Sequence, residues 1–368
     1  MNKLELSKEE FFSTVDSAIN LESSNQTLIN LFLSNHKVAR YVVGKNEQSE
    51  ELIRLLSIDG LIDDYETNAN SWHGVPILKT SDILAESIVV NCSTSISPVA
   101  VQSNLKKAGL KNVIAISELL IALNGKISLP WFVKQQREDY QKFKNEWFDL
   151  YQSMSDDESK KVFMDVLRYR LNPNPFYMRE YEVRLKDQYL EDFMRYQNEV
   201  FVDAGGFDGD TTEEFCRRYP DYKKVFLFEP SIRNMQAAKV RLAKLHNIEF
   251  LEVGLSDNAG CLYFNPDAGS ASAVSNVGSE SIDVTTLDKA VNEPVSFIKM
   301  DLEGWEMKAL AGCKQHIVED KPKLAISVYH GASDFRDVPR YILSLNPDYK
   351  IYFRHYTQGW SESVMYFI

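Results

Sequence analysis

Acidic and glycine residues cluster in short segments of the C-terminal half, and their types suit the binding of a small polar ligand. The segment 203–212 reads DAGGFDGDTT, Glu229 lies in VFLFEP, and Asp301 follows FIKM. A carboxylate such as that of Glu229 can accept hydrogen bonds from both hydroxyls of a ribose. Glycine lets a ligand approach the backbone closely, which a side chain would block. These segments therefore predict a site for a nucleotide-like ligand.

Each of these segments follows a short apolar run that is typical of a buried strand. The predicted strands of the C-terminal half are 200–202, 225–228, 248–255, 295–300, 324–328, 349–353 and 363–367. Strands that alternate with helices indicate an α/β fold with a mainly parallel sheet. In such a sheet the ligand binds at the carboxyl ends of the strands. We therefore predict a Rossmann-like, seven-stranded mixed sheet whose last two strands form a hairpin.

The glycine loop also discriminates between cofactors. It lacks the Gly-x-Gly-x-x-Gly pattern that binds a pyrophosphate, and it carries the carboxylates of Asp203, Asp208 and Asp210. These charges would repel a pyrophosphate and attract the sulfonium and amino groups of S-adenosylmethionine. The terminal hairpin is also typical of methyltransferase sheets. An NAD(P)-linked oxidoreductase and a non-catalytic scaffold with a methyltransferase fold are the alternatives.

The C-terminal half resembles the FkbM family of S-adenosylmethionine-dependent methyltransferases over about residues 198–368. The motifs that carry the resemblance are DAGGFDGDT, FEP, GLSD, TLD, IKMDLEGWE and the terminal RHY and MYF. The resemblance implies a class I methyltransferase domain that methylates hydroxyl groups. We expect a sugar or glycan acceptor, either a nucleotide sugar or a precursor in polysaccharide biosynthesis. Gly206 and Phe207 depart from the family pattern, which usually has Ala and Asn there, and this puts the contact with the methionine part of the donor in question.

The resemblance also implies which residues bind the donor. They are Asp203, Gly205 and Asp208 at its amino-acid end, Glu229 at the ribose, Ser256 and Asp257 by the adenine, and Asp301 at the methyl group. The alternative for the aspartates is a capping role in a loop or at a helix start. The alternative for Glu229 is a solvated strand end.

A sugar hydroxyl is a poor nucleophile, so a general base is expected near the methyl group. The candidates are Asp301, Glu303, Glu306, His330 and His355. We predict that Asp301, Glu303 and His330 are catalytic. Alternation along an extended strand predicts that Asp301 and Glu303 point to one side and that Lys299 joins them, whereas Glu306 is expected to stabilise the following helix. The acids could bind a divalent metal, but no spacing of ligands is diagnostic, so no metal site is predicted.

The N-terminal part has a different character. Residues 1–125 predict a smaller Rossmann-like α/β domain, and residues 126–197 a helical connector to the methyltransferase-like domain at 198–368. The first strand, VARYVVG (38–44), is followed by one glycine where a dinucleotide site has three. This pattern favours a role in packing, docking or homo-oligomer formation. The alternative is a nucleotide-sugar pocket, since the domain loosely resembles those attached to sugar-modifying enzymes of bacterial surface polysaccharides.

The composition of the chain limits the kinds of partner that it is expected to bind. The chain has 368 residues and a net charge of −12, so its surface repels phosphate backbones and no nucleic-acid partner is expected. No apolar run is long enough for a membrane span. Four scattered cysteines and the absence of a signal-peptide pattern predict a cytoplasmic protein. The small polar residues of 268–279 predict a surface loop, or alternatively a lid over the acceptor.

Overall fold

The computed structural model describes residues 5–19, 25–34, 38–264 and 280–368. The segment 268–279, predicted as a surface loop or a lid, lies outside these residues. The chain forms two compact units, each assembled from three segments. The N-terminal unit contains Met1–Tyr151, Lys161–Val183 and Tyr356–Ser361, and the C-terminal unit contains Gln152–Lys160, Arg184–His355 and Glu362–Ile368. Residues of the predicted connector, 126–197, belong to both units.

The described part of the first half of the chain contains eight α-helices and the six strands of one sheet. The helices are α1 Lys8–Ile19, α2 Gln26–Ser34, α3 Glu47–Leu55, α4 Pro98–Lys107, α5 Ile116–Leu123, α6 Trp131–Lys142, α7 Lys144–Ser153 and α8 Asp157–Leu171. The strands are β1 Arg40–Val43, β2 Gly60–Ile62, β3 Ser71–Trp72, β4 Val75–Leu78, β5 Ile88–Asn91 and β6 Asn112–Ala115. Short 3-10 helices lie at Thr80–Asp82, Pro175–Met178, Leu185–Asp187 and Asp192–Met194.

The second half of the chain alternates strands with helices. The strands are β7 Val200–Ala204, β8 Lys224–Phe228, β9 Ile248–Leu251, β10 Gly254–Leu255, β11 Gly260–Phe264, β12 Glu280–Thr285, β13 Phe297–Met300, β14 Lys323–Ser327, β15 Ile351–His355 and β16 Ser363–Phe367. The helices are α9 Asp210–Arg218, α10 Ile232–Arg241, α11 Leu287–Ala290, α12 Glu306–Ala311, α13 Lys314–Glu319 and α14 Asp334–Leu345.

The sheet of the N-terminal unit has the order β3-β4-β2-β1-β5-β6. Strands β1, β2, β4, β5 and β6 are parallel, and β3 pairs antiparallel with β4 at the edge. Val42 of β1 and Ile88 to Val90 of β5 are fully buried, together with Ile29 and Phe32 of α2. Short β-branched strands covered on both faces by helices produce this parallel sheet, as the sequence predicts.

The C-terminal unit confirms the predicted seven-stranded mixed sheet. Its order is β15-β16-β14-β13-β7-β8-β9, and β16 pairs antiparallel with both β14 and β15. The predicted strand 248–255 is two short strands, because Val253 interrupts it and β10 pairs instead with β12 in a small separate sheet. Phe201, Ile298 and Ile326 at the centre of the large sheet are fully buried.

Strand order brings the functional segments of the C-terminal unit to one edge. Strand β7 pairs with β8 on one side and with β13 on the other, so the order reverses at β7. The carboxyl ends of β7, β8, β13 and β14 therefore meet where an open α/β sheet binds its ligand. Within the described part of the chain, no helix combines the length and apolar character needed to span a bilayer.

Candidate active site

The loop after β7 makes a tight turn that requires glycine. Gly205 and Gly209 have φ of +77° and +86°, and Phe207 has φ of +45°. A Cβ atom on Gly205 would lie 2.0 Å from the carbonyl oxygen of Asp301, and one on Gly206 would lie 2.5 Å from Cγ of Leu227. The loop is thus packed directly against the ends of two neighbouring strands, and its backbone forms part of the sheet edge.

Asp203, at the end of β7, is fully buried and bound within the fold. Its Oδ1 accepts a hydrogen bond from Lys299 Nζ at 2.9 Å, and its Oδ2 accepts one from the Thr212 hydroxyl at 2.7 Å. Lys299 Nζ also donates to the carbonyl oxygen of Gly205 at 2.7 Å. Burial disfavours the charge on Lys299, but the Asp203 and Asp301 carboxylates outweigh this effect and raise its pKa. Asp203 and Lys299 therefore fix the start of the glycine loop.

Glu229 connects the end of β8 to the same loop. Its carboxylate accepts hydrogen bonds from the backbone N–H of Phe207 at 3.0 Å and of Ser231 at 2.8 Å. The residue is 7% exposed, and burial raises its pKa. A carboxylate has about four acceptor positions, so two backbone donors leave it able to accept hydrogen bonds from ligand hydroxyls.

The other two acids of the loop have different surroundings. Asp208 forms an ion pair with Arg241, and its Oδ1 is buried with no hydrogen-bond partner among the described residues. Asp210 is the first residue of α9, and its carboxylate accepts a hydrogen bond from the N–H of Thr211. Two of the three loop carboxylates, Asp203 and Asp208, are thus already paired with cations. The attraction for a sulfonium that the sequence predicts from three acids is correspondingly weaker.

Ser256 and Asp257 lie after β10, close to the segment that follows β13. Trp305 Nε1 donates to the Ser256 hydroxyl at 3.2 Å, and Lys308 Nζ lies 2.7 Å from Oδ2 of Asp257. A Cβ on Gly312 would lie 2.0 Å from the Ser256 carbonyl oxygen. These contacts hold both residues against α12.

Asp301, directly after β13, is surrounded by hydroxyl donors. Tyr189 Oη donates to Oδ2 of Asp301 at 2.6 Å, and Tyr329 Oη lies 3.4 Å from both carboxylate oxygens. The Ser327 hydroxyl lies 3.0 Å from Tyr189 Oη. Burial and the nearby Asp301 carboxylate raise the pKa of Tyr189 well above its ordinary value. Tyr189 therefore stays protonated and donates to Asp301.

His330, after β14, lies among three carboxylates. Its Nε2 is 3.5 Å from Asp301 Oδ1 and 3.4 Å from Glu303 Oε2, and its Nδ1 is 3.1 Å from Glu306 Oε1. Burial disfavours the charged ring, but these carboxylates prevail and raise the pKa of His330 to about 11. At neutral pH the side chain is therefore an imidazolium, with each nitrogen facing an acid.

The same three side chains could be considered as metal ligands. Asp301, Glu306 and His330 offer ligand atoms within 4.8 Å of one another. However, Asp301 faces Nε2 of the imidazole and Glu306 faces Nδ1, on opposite edges of the ring. A protonated ring carries a hydrogen on both nitrogens, so in this arrangement neither nitrogen is free to coordinate a metal. The arrangement therefore fits an ion-paired imidazolium better than a metal centre.

Comparison with known proteins agrees with this geometry. Residues 203–351 match the family model described as the methyltransferase FkbM domain. The C-terminal unit is called the FkbM domain below, after the family model that its residues 203–351 match. The crystal structure of the methyltransferase FkbM from Methylobacillus flagellatus KT has 23% sequence identity to the chain and a TM-score of 0.75, and the match covers 98% of each chain. This likeness shows a shared fold along the whole sequence.

Other solved structures match about half of the chain. An rRNA methylase from Streptococcus thermophilus is 19% identical, covers 48% of this chain and 90% of its own, and has a TM-score of 0.33. Aeropyrum pernix fibrillarin with bound S-adenosyl-L-methionine is 12% identical, covers 47% of this chain and 67% of its own, and has a TM-score of 0.31. No curated protein sequence matches the chain significantly.

The FkbM domain brings most of the predicted residues to one edge of its sheet. Asp301, Glu303, Glu306 and His330 form one group, which we call the acidic cluster. The predicted alternation of Lys299, Asp301 and Glu303 is wrong, because β13 ends at Met300 and Glu303 lies in a turn with φ of +53°. That turn nevertheless brings Glu303 to His330, while Lys299 binds Asp203 instead.

Two of the candidate bases have other roles in the FkbM domain. Glu306 Oε1 accepts a hydrogen bond from the N–H of Leu302 at 2.7 Å, so it holds the turn that precedes α12. His355, at the end of β15, is buried, and its Nδ1 lies 2.9 Å from the hydroxyl of Ser363 on the paired strand.

Sequence reasoning missed several members of the site. Glu362, the residue before β16, accepts a hydrogen bond from Gln188 Nε2 at 2.7 Å, and Gln188 also donates to Tyr189 Oη at 2.8 Å. The antiparallel direction of β16 signals that its first residues lie at the carboxyl edge of β14, so Glu362 could have been found. Gln188 and Tyr189 lie in an irregular segment with no strand or motif to mark them.

At the corresponding edge of the N-terminal unit, the backbone after β5 is already hydrogen-bonded. Gln358 N–H donates to the carbonyl oxygen of Ile96 at 2.8 Å, and Trp360 N–H donates to that of Thr94 at 3.1 Å. Gln358 Oε1 accepts from the N–H of Ala100 in the first turn of α4 at 2.9 Å. The N-terminus of a helix is in general a place where a phosphate can bind. Here the segment Tyr356–Ser361, defined as the plug segment, provides that acceptor.

Proposed function

We propose that the protein is an S-adenosylmethionine-dependent O-methyltransferase that acts on a hydroxyl group of a sugar or glycan in polysaccharide biosynthesis. The observation that carries the proposal is the juxtaposition, on one sheet edge of an FkbM domain, of Glu229 with the glycine loop and of the acidic cluster. The first set suits a donor nucleoside, and the second suits a polar acceptor next to it.

The donor side fits the group that the family implies. Glu229 retains acceptor positions for ribose hydroxyls, and the buried Oδ1 of Asp208 is an orphaned acceptor at the loop. Such an atom is costly to leave unpaired, and an ammonium group of a ligand would satisfy it. S-adenosylmethionine would supply a methyl group activated by a positively charged sulfur. The chain's own residues hold the donor and shield the reacting atoms from water.

The acceptor side favours a neutral hydroxyl compound. Asp301, Glu303 and Glu306 contribute three carboxylates around the imidazolium of His330, and Glu362, whose pKa burial raises to about 7, is a fourth acidic group beside them. This surplus of negative charge would repel an acidic sugar or a phosphate. Tyrosine hydroxyls and carboxylates together can both donate to and accept from sugar hydroxyls. A neutral sugar unit is therefore the acceptor that we favour.

The N-terminal unit offers less support for a nucleotide-sugar pocket. In the plug segment, Gln358 Oε1 accepts the hydrogen bond of the Ala100 N–H, a donor at the start of α4 that a nucleotide phosphate would otherwise use. We therefore favour methylation of a sugar or oligosaccharide that binds at the FkbM domain itself.

Donor binding tests the first half of the proposal. Titration calorimetry with S-adenosylmethionine should show binding to the full-length protein. Glu229→Gln should weaken it by at least about tenfold, because it removes a charge-assisted hydrogen-bond acceptor. Glu252→Gln, an exposed glutamate of the same unit, serves as the matched control. Equal affinities for both variants and the wild type would exclude a role for Glu229 in the ribose site.

Acceptor turnover tests the second half. The protein is incubated with S-adenosylmethionine and a panel of neutral, acidic and amino glycosides, and products are analysed by mass spectrometry. We expect a mass gain of one CH2 group on a neutral glycoside and less on its uronic-acid counterpart. Donor binding without methylation of any glycoside would refute the sugar acceptor while leaving the donor site intact.

A further inference from the structure

Glu362 occupies a defined place beside the acidic cluster. It immediately precedes β16, whose Val364 is paired with Ser327 of β14, and the N–H of Val328 donates to the Ser363 carbonyl oxygen at 3.0 Å. The end of β14 carries Tyr329 and His330 into the cluster. Because β16 runs antiparallel to β14, Glu362, just before β16, lies at the edge of the sheet where β14 ends.

The backbone of Glu362 is strained. Its φ is +65°, in the left-handed region that a residue with a Cβ atom rarely adopts. Glu303 on the other side of the cluster has φ of +53°. Such conformations are unfavourable and persist where the surrounding structure enforces them, often at functional sites. Packing of the core does not require two glutamates in this conformation at one cluster, so their presence points to a functional role.

The charge environment of Glu362 sets it apart from the other acids. Burial raises its pKa to about 7, and the Asp301 carboxylate adds to this effect, while Gln188, His330 and Tyr329 oppose it. A carboxylate that titrates near neutral pH is suited to accept a proton. A pKa that differs between neighbouring acids is also expected where those acids have different roles in catalysis.

Three of the four members of the acidic cluster are less suited than Glu362 to receive a proton. Asp301 accepts a hydrogen bond from Tyr189 and faces Tyr329, and Glu306 is bound to the backbone of the turn before α12. His330 already carries a proton at neutral pH because of the carboxylates around it.

We propose that Glu362 accepts the proton of the acceptor hydroxyl during methyl transfer. This inference rests on the proposed function. The acceptor oxygen forms a bond to the methyl carbon of the sulfonium donor while the carbon–sulfur bond breaks, and that electron pair remains on sulfur, which becomes a neutral thioether. The O–H bond of the acceptor breaks, its electron pair stays on oxygen, and its proton passes to the Glu362 carboxylate and then to solvent.

A spectroscopic test does not depend on the acceptor. Isotope-edited infrared spectra of full-length protein labelled in its glutamate carboxyl groups are recorded from pH 5 to 9. We expect a protonated glutamate band that disappears near pH 7 in the wild type and in the exposed control Glu319→Gln, but is absent from Glu362→Gln. Spectra without any glutamate titrating near neutral pH would overturn the proposal.

A kinetic test uses whichever neutral methyl glycoside the wild type methylates. We expect kcat to rise with pH through about 7, because Glu362 must be ionised to accept a proton. Glu362→Gln should lower kcat by about 100-fold or more and abolish this limb of the profile, with little change in the affinity for S-adenosylmethionine. Glu362→Asp should retain the limb at a reduced rate.

The two tests separate the possible failures. If the wild type methylates none of the glycosides, the proposed acceptor class is refuted, and the infrared titration still decides the protonation behaviour of Glu362. If Glu362→Gln keeps the wild-type rate and the same pH profile, the role of Glu362 is refuted while the methyltransferase activity stands.

Discussion

At the scale of single residues, the acidic cluster is organised around a charged histidine. His330 is 8% exposed in its side chain and lies within 3.5 Å of carboxylate oxygens from Asp301, Glu303 and Glu306. Without that charge, acids would face one another in a poorly solvated space, which is strongly unfavourable. His330 therefore stabilises the cluster, a role that is separate from proton transfer. Because the ring is already protonated at neutral pH, the predicted role of His330 as a catalytic base is not favoured.

This environment predicts a pH dependence of stability. The pKa of His330 is raised in the folded state from 6.5 to about 11, so its stabilising charge is fully present below pH 6.5 and is lost progressively as the pH rises towards 11. Thermal unfolding followed by circular dichroism should show a larger fall in Tm between pH 7 and 10 for the wild type than for His330→Gln.

The variant also provides the internal comparison. His330→Gln should have a lower Tm than the wild type at pH 7, because it leaves the carboxylates uncompensated. The two Tm values should approach each other at high pH. Parallel pH profiles of the two proteins would show that the imidazolium does not contribute to stability.

At the scale of structural elements, the loop after β7 depends on Gly205. Its φ of +77° and the approach of the Asp301 carbonyl oxygen leave no room for a Cβ atom. Gly205→Ala should therefore destabilise the protein by more than about 2 kcal/mol and displace the segment after β13. Chemical unfolding and calorimetric titration with S-adenosylmethionine would measure both effects.

A second glycine provides the control for this substitution. A Cβ on Gly260 in β11 meets no atom of the described residues within 4 Å, and Gly260→Ala should leave both the unfolding free energy and donor binding close to the wild type. If Gly205→Ala behaved like this control, the close packing of the loop against Asp301 would not matter for the donor site.

The elements were largely predictable, because short apolar strands followed by glycine or acidic residues have a strong local signature. The seven predicted strands and the terminal hairpin are present apart from the break at Val253, whereas β11 and β12 were not predicted. The sequence also indicates Glu229 and Asp301, since each directly follows a strand. The contacts of such side chains cannot be predicted from the local sequence. The ion pair of Lys299 with Asp203, for example, joins two strands through residues 96 positions apart.

The same limit explains the residues that were missed. Tyr189 belongs to an irregular segment, and its contact with Asp301 spans 112 positions of the sequence. Glu362 has no motif, and its part in the cluster follows from the antiparallel direction of β16. Alternation failed at Glu303 because the strand already ends at Met300 and Glu303 lies in the turn that follows, with a positive φ. Neither periodicity nor propensity reports such long-range contacts.

At the scale of the whole molecule, the chain passes between the two units repeatedly. Each unit contains three separate segments, and the plug segment Tyr356–Ser361 belongs to the N-terminal unit although β15 and β16 on either side belong to the FkbM domain. Neither unit is complete until residues distant in sequence have been added. We therefore expect the two units to unfold together, in one cooperative transition.

Gly359 in the plug segment offers a direct test of this coupling. A Cβ at this position would lie 1.7 Å from the Ser95 carbonyl oxygen and 2.4 Å from that of Thr94, both backbone atoms that cannot move aside freely. Gly359→Ala should therefore lower the Tm by several degrees. Differential scanning calorimetry should still show one transition at the lower temperature, with S-adenosylmethionine stabilising the whole of it. Two separate transitions, with only the one insensitive to S-adenosylmethionine displaced, would show instead that the units unfold independently and that the plug segment stabilises the N-terminal unit alone.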